Sequence, residues 1–166
     1  MIRVLLGAAF FVVATGPASA GSPEEVQALV GRAAEHIRDV GQQRAFADFT
    51  RPDGGFVEGE LYVFCSDDTG VQLANGGNPK LVGRNMSSAR DAKGRATNVE
   101  LHRIGQTKGH GWYEYLWPNP AKRRVERKVV YVVRVDDQIV CASGYYKPDQ
   151  PGTDRSETDR PETQKP

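Results

Sequence analysis

The spacing of apolar residues changes once along this chain, from the period of an α-helix to the two-residue period of β-strands. Between residues 26 and 40 the apolar side chains fall on one helical face: Val26, Leu29, Val30, Ala33, Ala34, Ile37 and Val40. From residue 60 onwards, runs rich in aromatic and β-branched residues alternate between two faces. This order predicts an α+β domain built around an antiparallel sheet.

Local signals set the boundaries of these elements. Residues 22–25 form a capping box with Pro23 at the first helical position, and Gly41 can end that helix. A second capping box at residues 97–100 predicts another helix, which runs to about residue 108. A short helix is also predicted at residues 42–49, and five strands are predicted at residues 60–65, 71–74, 112–117, 128–135 and 138–146.

The two ends of the chain differ in composition from its middle. Residues 1–20 combine a basic start, an apolar run and the small residues of a cleavage site, which is typical of a signal peptide. We expect cleavage before Gly21 and a periplasmic or secreted protein, with an uncleaved anchor as the alternative. Residues 148–166 are almost wholly polar and predict a disordered tail. Residues 21–147 then form a single domain, with no direct membrane span after cleavage.

Charge and cysteine content narrow the possible functions. Arg3 is the only charged residue of the leader, so 22 basic and 21 acidic residues become equal numbers after cleavage. Such a balance gives no electrostatic signal for nucleic acid. Cys65 and Cys141 are an even pair in an oxidising compartment, which favours one disulfide, with two separate buried thiols as the alternative.

Patterns that would indicate an enzyme are missing from the sequence. His36, His102 and His110 have neither metal-ligand spacing nor a nucleophile motif beside them, and we expect them at the surface. The acidic pairs at residues 67–68 and 136–137 lie in predicted hairpin turns, where aspartate is favoured for local hydrogen bonding. We therefore expect no catalytic residues, no metal and no cofactor.

Aromatic residues with polar tips recur on the predicted strands. Alternation places Tyr113, Tyr115 and Trp117 on one side of their strand, and pairs Tyr62 with Phe64 on one side of another. Such rings can enclose a small organic ligand and orient it through a few hydrogen bonds. Ordinary sheet core is the alternative explanation for each ring.

The order of motifs resembles a known family, the single-Cache sensor domains on the outer side of bacterial chemoreceptors and sensor kinases. The resemblance covers roughly 120 residues, from the helix at Glu24 to Tyr146. It rests on six segments: ELYVF at 60–64, NPKLVG at 78–83, DAKG at 91–94, GWYEYLWPNP at 111–120, KVVYV at 128–132 and SGYY at 143–146. It implies a five-stranded sheet similar to that of PAS domains, with a helix and loop insertion covering a pocket.

The resemblance also implies roles for individual residues. Lys128 matches the lysine of the family's lysine-to-tyrosine strand motif, with Tyr131 as the matching aromatic residue. A buried carboxylate ligand needs a cation, which makes Lys128 the candidate, and Asn85 lies in the loop where the family covers its pocket. A solvent-exposed lysine at the end of its strand is the alternative. The resemblance further implies that the strands carrying Cys65 and Cys141 lie side by side.

The expected function is an extracytoplasmic sensor domain that binds a small molecule. Its ligand is expected to be a small organic molecule such as a short carboxylate. No second apolar span or kinase region follows Tyr146, so we expect a stand-alone domain that acts with a separate membrane sensor or transporter. The alternative is a scaffold for a partner protein that binds no ligand. A cavity lined by Tyr115, Trp117 and Lys128 would favour the sensor, and a filled core with an exposed apolar patch would favour the scaffold.

Overall fold

Three α-helices and two small sheets make up the part of the chain that the structure describes. The structure is a computed structural model describing residues 21–147, so the predicted signal peptide and the predicted tail lie outside the described residues. The α-helices are α1 (Pro23–Val40), α2 (Gln42–Thr50) and α3 (Thr97–Lys108), with a 3-10 helix at Pro79–Leu81. The strands are β1 (Val57–Glu58), β2 (Leu61–Tyr62), β3 (Phe64–Asp67), β4 (Gln72–Asn75), β5 (His110–Asn119), β6 (Arg124–Arg134) and β7 (Ile139–Tyr146).

The start and the buried face of α1 follow directly from its sequence. The hydroxyl of Ser22 accepts a hydrogen bond from the amide of Glu25, and the carboxylate of Glu25 accepts one from the amide of Ser22. This reciprocal pair is the predicted capping box. The buried side chains of α1 are Val26, Leu29, Val30, Ala33 and Ile37. They form the apolar stripe that holds α1 against the sheet.

The main sheet has five antiparallel strands in the order β4, β3, β7, β6, β5. This confirms the predicted architecture, with the last strand in the centre. The predicted strand at residues 60–65 is interrupted at Val63. Its first part, β2, instead pairs with β1 in a separate two-stranded sheet, and its second part, β3, joins the main sheet. Gly59, with φ of 61°, lies in the tight turn that joins β1 to β2.

Cys65 and Cys141 lie directly opposite each other on neighbouring strands. They are register partners of β3 and β7, with 4.1 Å between their Cα atoms, and they form a disulfide. Such a short Cα distance is typical of an antiparallel pair whose residues do not exchange backbone hydrogen bonds. The predicted disulfide is confirmed, and it joins the central strand to its neighbour.

The two faces of the sheet have different coverings. Helices α1 and α2 pack on one face, against a buried cluster that includes Val63, Cys65 and Cys141. Helix α3 covers part of the other face, where Tyr115, Val130 and other side chains of β5, β6 and β7 are buried. The loop between β4 and α3 lies over the rest of this second face. Among the described residues, no helix is long and apolar enough to cross a membrane.

Two of the three histidines are not the surface residues that the sequence predicts. His36 is half-buried and lies 3.0 Å from a carboxylate oxygen of Asp48, which also accepts hydrogen bonds from Arg44 and Arg51. His102 is half-buried behind the second face of the sheet. Only His110 is exposed. Spacing along the sequence misses these burials, because they depend on which elements pack together.

Candidate functional site

A small cavity lies between the second face of the sheet, helix α3 and the loop that precedes it. Its volume is about 30 Å³, enough for one or two water molecules or the charged end of a small ligand. The residues that line it are Tyr62, Phe64, Gln72, Asn75, Leu81, Met86, Ala89, Thr97, Asn98, Leu101, Tyr115, Trp117 and Lys128. A wider cleft of about 350 Å³ lies next to it and shares several of these walls.

Five of the seven predicted ligand-binding residues meet at this cavity. Tyr62 and Phe64 come from β2 and β3, and the other three are Tyr115, Trp117 and Lys128. Tyr115 is the register partner of Lys128 across β5 and β6, so both side chains project from the same face of the sheet. Strand alternation therefore predicts that these residues share one face of the sheet.

Lys128 is the one charged side chain on the cavity wall, and it is almost completely buried, with 1% of its surface exposed. Its ammonium group lies 3.8 Å from the ring centre of Tyr62, 5.2 Å from that of Phe64 and 5.0 Å from that of Tyr146. Cation–π contacts of this kind partly replace lost hydration. Burial nevertheless lowers the pKa of Lys128 below its ordinary value. Within the described residues, no carboxylate forms an ion pair with it.

Two buried amides add hydrogen-bond donors to the same cavity. The carbonyl oxygen of the Gln72 side chain accepts a hydrogen bond from Asn75 at 2.8 Å, and that of Asn98 accepts one from Ser66 at 3.2 Å. In the described part of the chain, no protein acceptor engages the amide nitrogen of either residue. Each amide therefore has its acceptor occupied and its donors available. Sequence reasoning missed both, because isolated polar residues on strands and helices give no signal by themselves.

A chain of hydrogen bonds through Ser66 and His102 fixes the orientation of the Asn98 side chain. The hydroxyl of Ser66 has one proton, which it donates to Asn98, so it accepts a hydrogen bond from His102 at 3.0 Å. Burial lowers the pKa of His102, which keeps its ring neutral near pH 7. Ser66 therefore donates its only proton to Asn98, and Ser66 and His102 together hold the side-chain amide of Asn98 in place.

The first turn of α3 faces the cavity without a side-chain cap. The residue before the helix is Ala96, and Thr97 and Asn98 are buried on the cavity wall. The predicted capping box at residues 97–100 is therefore wrong, because Thr97 is already inside the helix and Glu100 pairs with Arg103 instead. Uncapped amides at a helix start carry partial positive charge. The start of α3 therefore adds partial positive charge to the side of the cavity where Thr97 and Asn98 lie.

Two predicted residues are not on the cavity wall. Tyr131 lies on the opposite face of the sheet, where it packs beside Trp112 and the buried cluster under α1 and α2, called the α1 cluster below. The reason is strand alternation, since residues 128 and 131 of one strand must point to opposite faces. Asn85 is exposed, and its side chain instead organises the loop by donating to the carbonyl of Thr69 and accepting from Ser87. Its neighbour Met86 reaches the cavity in its place.

Asp91 anchors the loop that covers the cavity. Its side chain has no exposed surface and accepts hydrogen bonds from the amides of Lys93, Arg95 and Leu116. The guanidinium of Arg95 also donates to Asp91 at 2.8 Å and to the backbone carbonyl of Glu114 at 2.9 Å. These bonds tie the loop to β5. They hold the pKa of Asp91 at about 2, although burial opposes this.

The substitution Asp91→Asn is expected to destabilise the protein by about 2 kcal/mol at pH 7, the free energy equivalent of the lowered pKa. Because this pKa is depressed, its contribution is fully present above pH 3.8 and fades as the pH falls through about 2. Denaturant unfolding of both proteins at several pH values measures the difference. The exposed Asp53→Asn provides a control that should change little. A difference that does not shrink between pH 4 and pH 2 would contradict the assignment.

Several solved sensor domains of chemotaxis proteins share the fold of this chain. A methyl-accepting chemotaxis protein from Vibrio parahaemolyticus shares the fold with a TM-score of 0.66 at 20% identity, covering 74% of this chain and 86% of that one. A Cache chemosensory domain described for its recognition of carboxylic acids gives a TM-score of 0.63 at 25% identity, covering 74% and 91%. A periplasmic sensor domain of a chemotaxis protein gives 0.58 at 25% identity, covering 74% and 88%.

Sequence comparison gives the family. Among curated protein sequences, no match was found. The family model described as Single Cache domain 2 matches residues 19–147, which include every residue of the cavity. The predicted resemblance is confirmed: this chain belongs to the single Cache domain 2 family.

Proposed function

We propose that this protein is an extracytoplasmic sensor domain whose cavity binds the carboxylate group of a small organic acid. The observation that carries the proposal is Lys128, a buried ammonium group on the cavity wall with no carboxylate partner among the described residues. A charge in such a place is costly unless it is paired. A ligand carboxylate would supply the pair.

The other polar groups of the cavity support an anionic ligand. The free donors of Gln72 and Asn98 and the uncapped start of α3 can each hydrogen-bond to a carboxylate oxygen. A cationic or purely donating ligand would leave these donors unmatched. Tyr115 and Trp117, which meet edge to face at 5.7 Å, supply the apolar wall for the carbon skeleton.

The loop over the cavity carries an excess of positive charge. Residues 78–96 contain one acidic residue, Asp91, and five basic residues: Lys80, Arg84, Arg90, Lys93 and Arg95. A cationic rim raises the local concentration of anions and speeds their association. Since the chain as a whole is close to neutral, this local excess supports the entry of an acid through the cover.

The family and the neighbouring structures support a sensory role for the binding event. Cache domains of chemotaxis proteins share this fold, and one of the similar domains is described for carboxylic acid recognition. We propose that the loaded domain acts through a separate membrane sensor or transporter. The cavity lined by Tyr115, Trp117 and Lys128 supports this reading over a scaffold with a filled core.

A thermal-shift screen with paired compounds tests the proposal. Each carboxylate is compared with its neutral amide, for example propionate with propionamide, and with an amine of the same length. A ligand present at about 100 times its Kd adds roughly 2.7 kcal/mol of stability. Some carboxylates are expected to raise the melting temperature where their amides and amines do not. A response to amines alone, or none to any acid, would contradict an anionic ligand.

A further inference from the structure

The space around Lys128 is divided into two compartments, and this division constrains the length of the ligand. The inner cavity, which Lys128 lines, has a volume of about 30 Å³, and the outer cleft has about 350 Å³. The two compartments adjoin at the residues that line both, which we call the neck: Tyr62, Asn75, Leu81, Met86 and Trp117. A ligand whose charged end reaches Lys128 must therefore place any remaining atoms in the outer cleft.

The walls of the outer cleft are mostly apolar and carry no charge. The residues that line only this cleft are Gly77, Asn78, Pro118 and Pro120. None of the side chains that line it is ionisable apart from Tyr62 at the neck. The one side-chain amide at the neck is already engaged, since that of Asn75 donates to Gln72 and accepts from the backbone amide of Asn78. A second carboxylate placed here would find no cation among the side chains that line the cleft.

Glycine at position 77 allows the backbone to pack closely against Tyr62 at the neck. A Cβ atom at this position would lie 2.4 Å from the ring of Tyr62, closer than any real contact. The chain can therefore pass directly over the Tyr62 ring, whose other neighbours include Lys128. Tyr62 in turn is held in place by the hydroxyl of Tyr146 at 3.2 Å, which itself donates to the carbonyl of Pro118.

We infer that the ligand is a monocarboxylic acid with an extended apolar tail: the carboxylate binds Lys128 in the inner cavity and the tail lies in the outer cleft against Trp117, Pro118 and Pro120. This inference rests on the proposed function, since it requires an acid at Lys128. It goes further by excluding dicarboxylic acids and the shortest acids as the preferred ligands.

Calorimetry with a homologous series tests the inference on the wild-type protein. The probes are acetate, butyrate, hexanoate, phenylacetate and the dicarboxylate adipate. Each methylene buried in the cleft is expected to tighten binding by roughly three- to fourfold. Hexanoate should therefore bind at least about 30-fold more tightly than acetate, with phenylacetate similar and adipate far weaker.

Two variants locate the tail. Pro120→Glu places a charge in the outer cleft at an exposed position, and should weaken hexanoate binding much more than acetate binding, so that most of the hexanoate gain is lost. Val125→Glu adds the same charge to the same hairpin at an exposed residue that is not on the cleft wall, and should leave both affinities unchanged.

Each contrary result points to one of the two claims. Equal affinity for acetate and hexanoate, or equal affinity for hexanoate and adipate, would overturn the inference while leaving the carboxylate site intact. A hexanoate affinity that Pro120→Glu does not reduce would also overturn it. If no acid of any length binds, the proposed function itself fails, and the inference fails with it.

Discussion

Lys128→Met is expected to weaken carboxylate binding by roughly ten- to a hundredfold, because a buried charge-assisted contact contributes about 1.5 to 3 kcal/mol. Methionine fills a similar volume without the charge, so the aromatic wall of Tyr62, Phe64 and Tyr146 keeps a packing partner. Calorimetry with the best acid from the screen measures the loss. The matched control is Lys108→Met, an exposed lysine that is not on the cavity wall, for which no change is expected.

The same substitution is expected to stabilise the ligand-free protein. The lowered pKa of Lys128 means that its charged form is less favourable in the folded protein than in the unfolded chain. Replacing such a buried ionic group by an apolar one is commonly neutral or stabilising by about 1 to 4 kcal/mol. We expect a melting temperature raised by roughly 3 °C or more. A side chain that costs stability and supports binding has the signature of a functional residue.

The pH dependence separates this explanation from a packing effect. Between the lowered pKa of Lys128 and its ordinary value of 10.5, the unfolded chain binds more protons than the folded protein. Stability of the wild type should therefore receive a contribution that rises with pH across this window. Lys128→Met should lack this contribution.

Unchanged acid affinity in Lys128→Met would remove Lys128 from the site and leave Gln72, Asn98 and backbone amides as the candidate donors.

The sequence predicts most of the fold because local signals and tertiary packing agree there. The capping box at Ser22 and the apolar stripe of α1 specify a helix that the sheet then buries. The exceptions lie near the cavity. The strand predicted at residues 60–65 is split at Val63. The capping box predicted at Thr97 does not form, because the helix already begins at Thr97, whose side chain is buried on the cavity wall. Near the cavity, tertiary packing therefore outweighs the local conformational preference of the sequence.

The site is only half predictable from the sequence, and the reason is geometric. Alternation along a strand correctly groups Tyr62 with Phe64, and Tyr115 with Trp117. Alternation also places Tyr131 and Lys128 on opposite faces of their strand, because they are three residues apart. The family motif grouped these two residues, and the structure shows only Lys128 on the cavity wall. Gln72 and Asn98 become candidates only when their hydrogen bonds show which end of each amide is free.

Removing the disulfide by Cys65→Ala and Cys141→Ala together is expected to cost about 4 kcal/mol of unfolding free energy. The two cysteines are separated by 76 residues. In the chain-entropy model, a closed loop of this length restricts the unfolded chain by about that amount. For a domain of this size the melting temperature should fall by roughly 12 to 20 °C. Thermal and denaturant unfolding measure the loss, and thiol titration of denatured, unreduced wild type should find no free thiols.

The single variants separate the bond from the packing of the two side chains. Either substitution alone breaks the disulfide, so Cys65→Ala or Cys141→Ala should already lose most of the 4 kcal/mol. The second substitution should add only the small cost of a cavity beside the α1 cluster. Losses that simply add would show that the residues stabilise the fold as separate buried side chains.

The bond acts mainly on the unfolded chain, because four register pairs already join β3 to β7 in the folded sheet. The single variants should therefore still fold below their lowered melting temperatures and bind the same acids there with unchanged affinity.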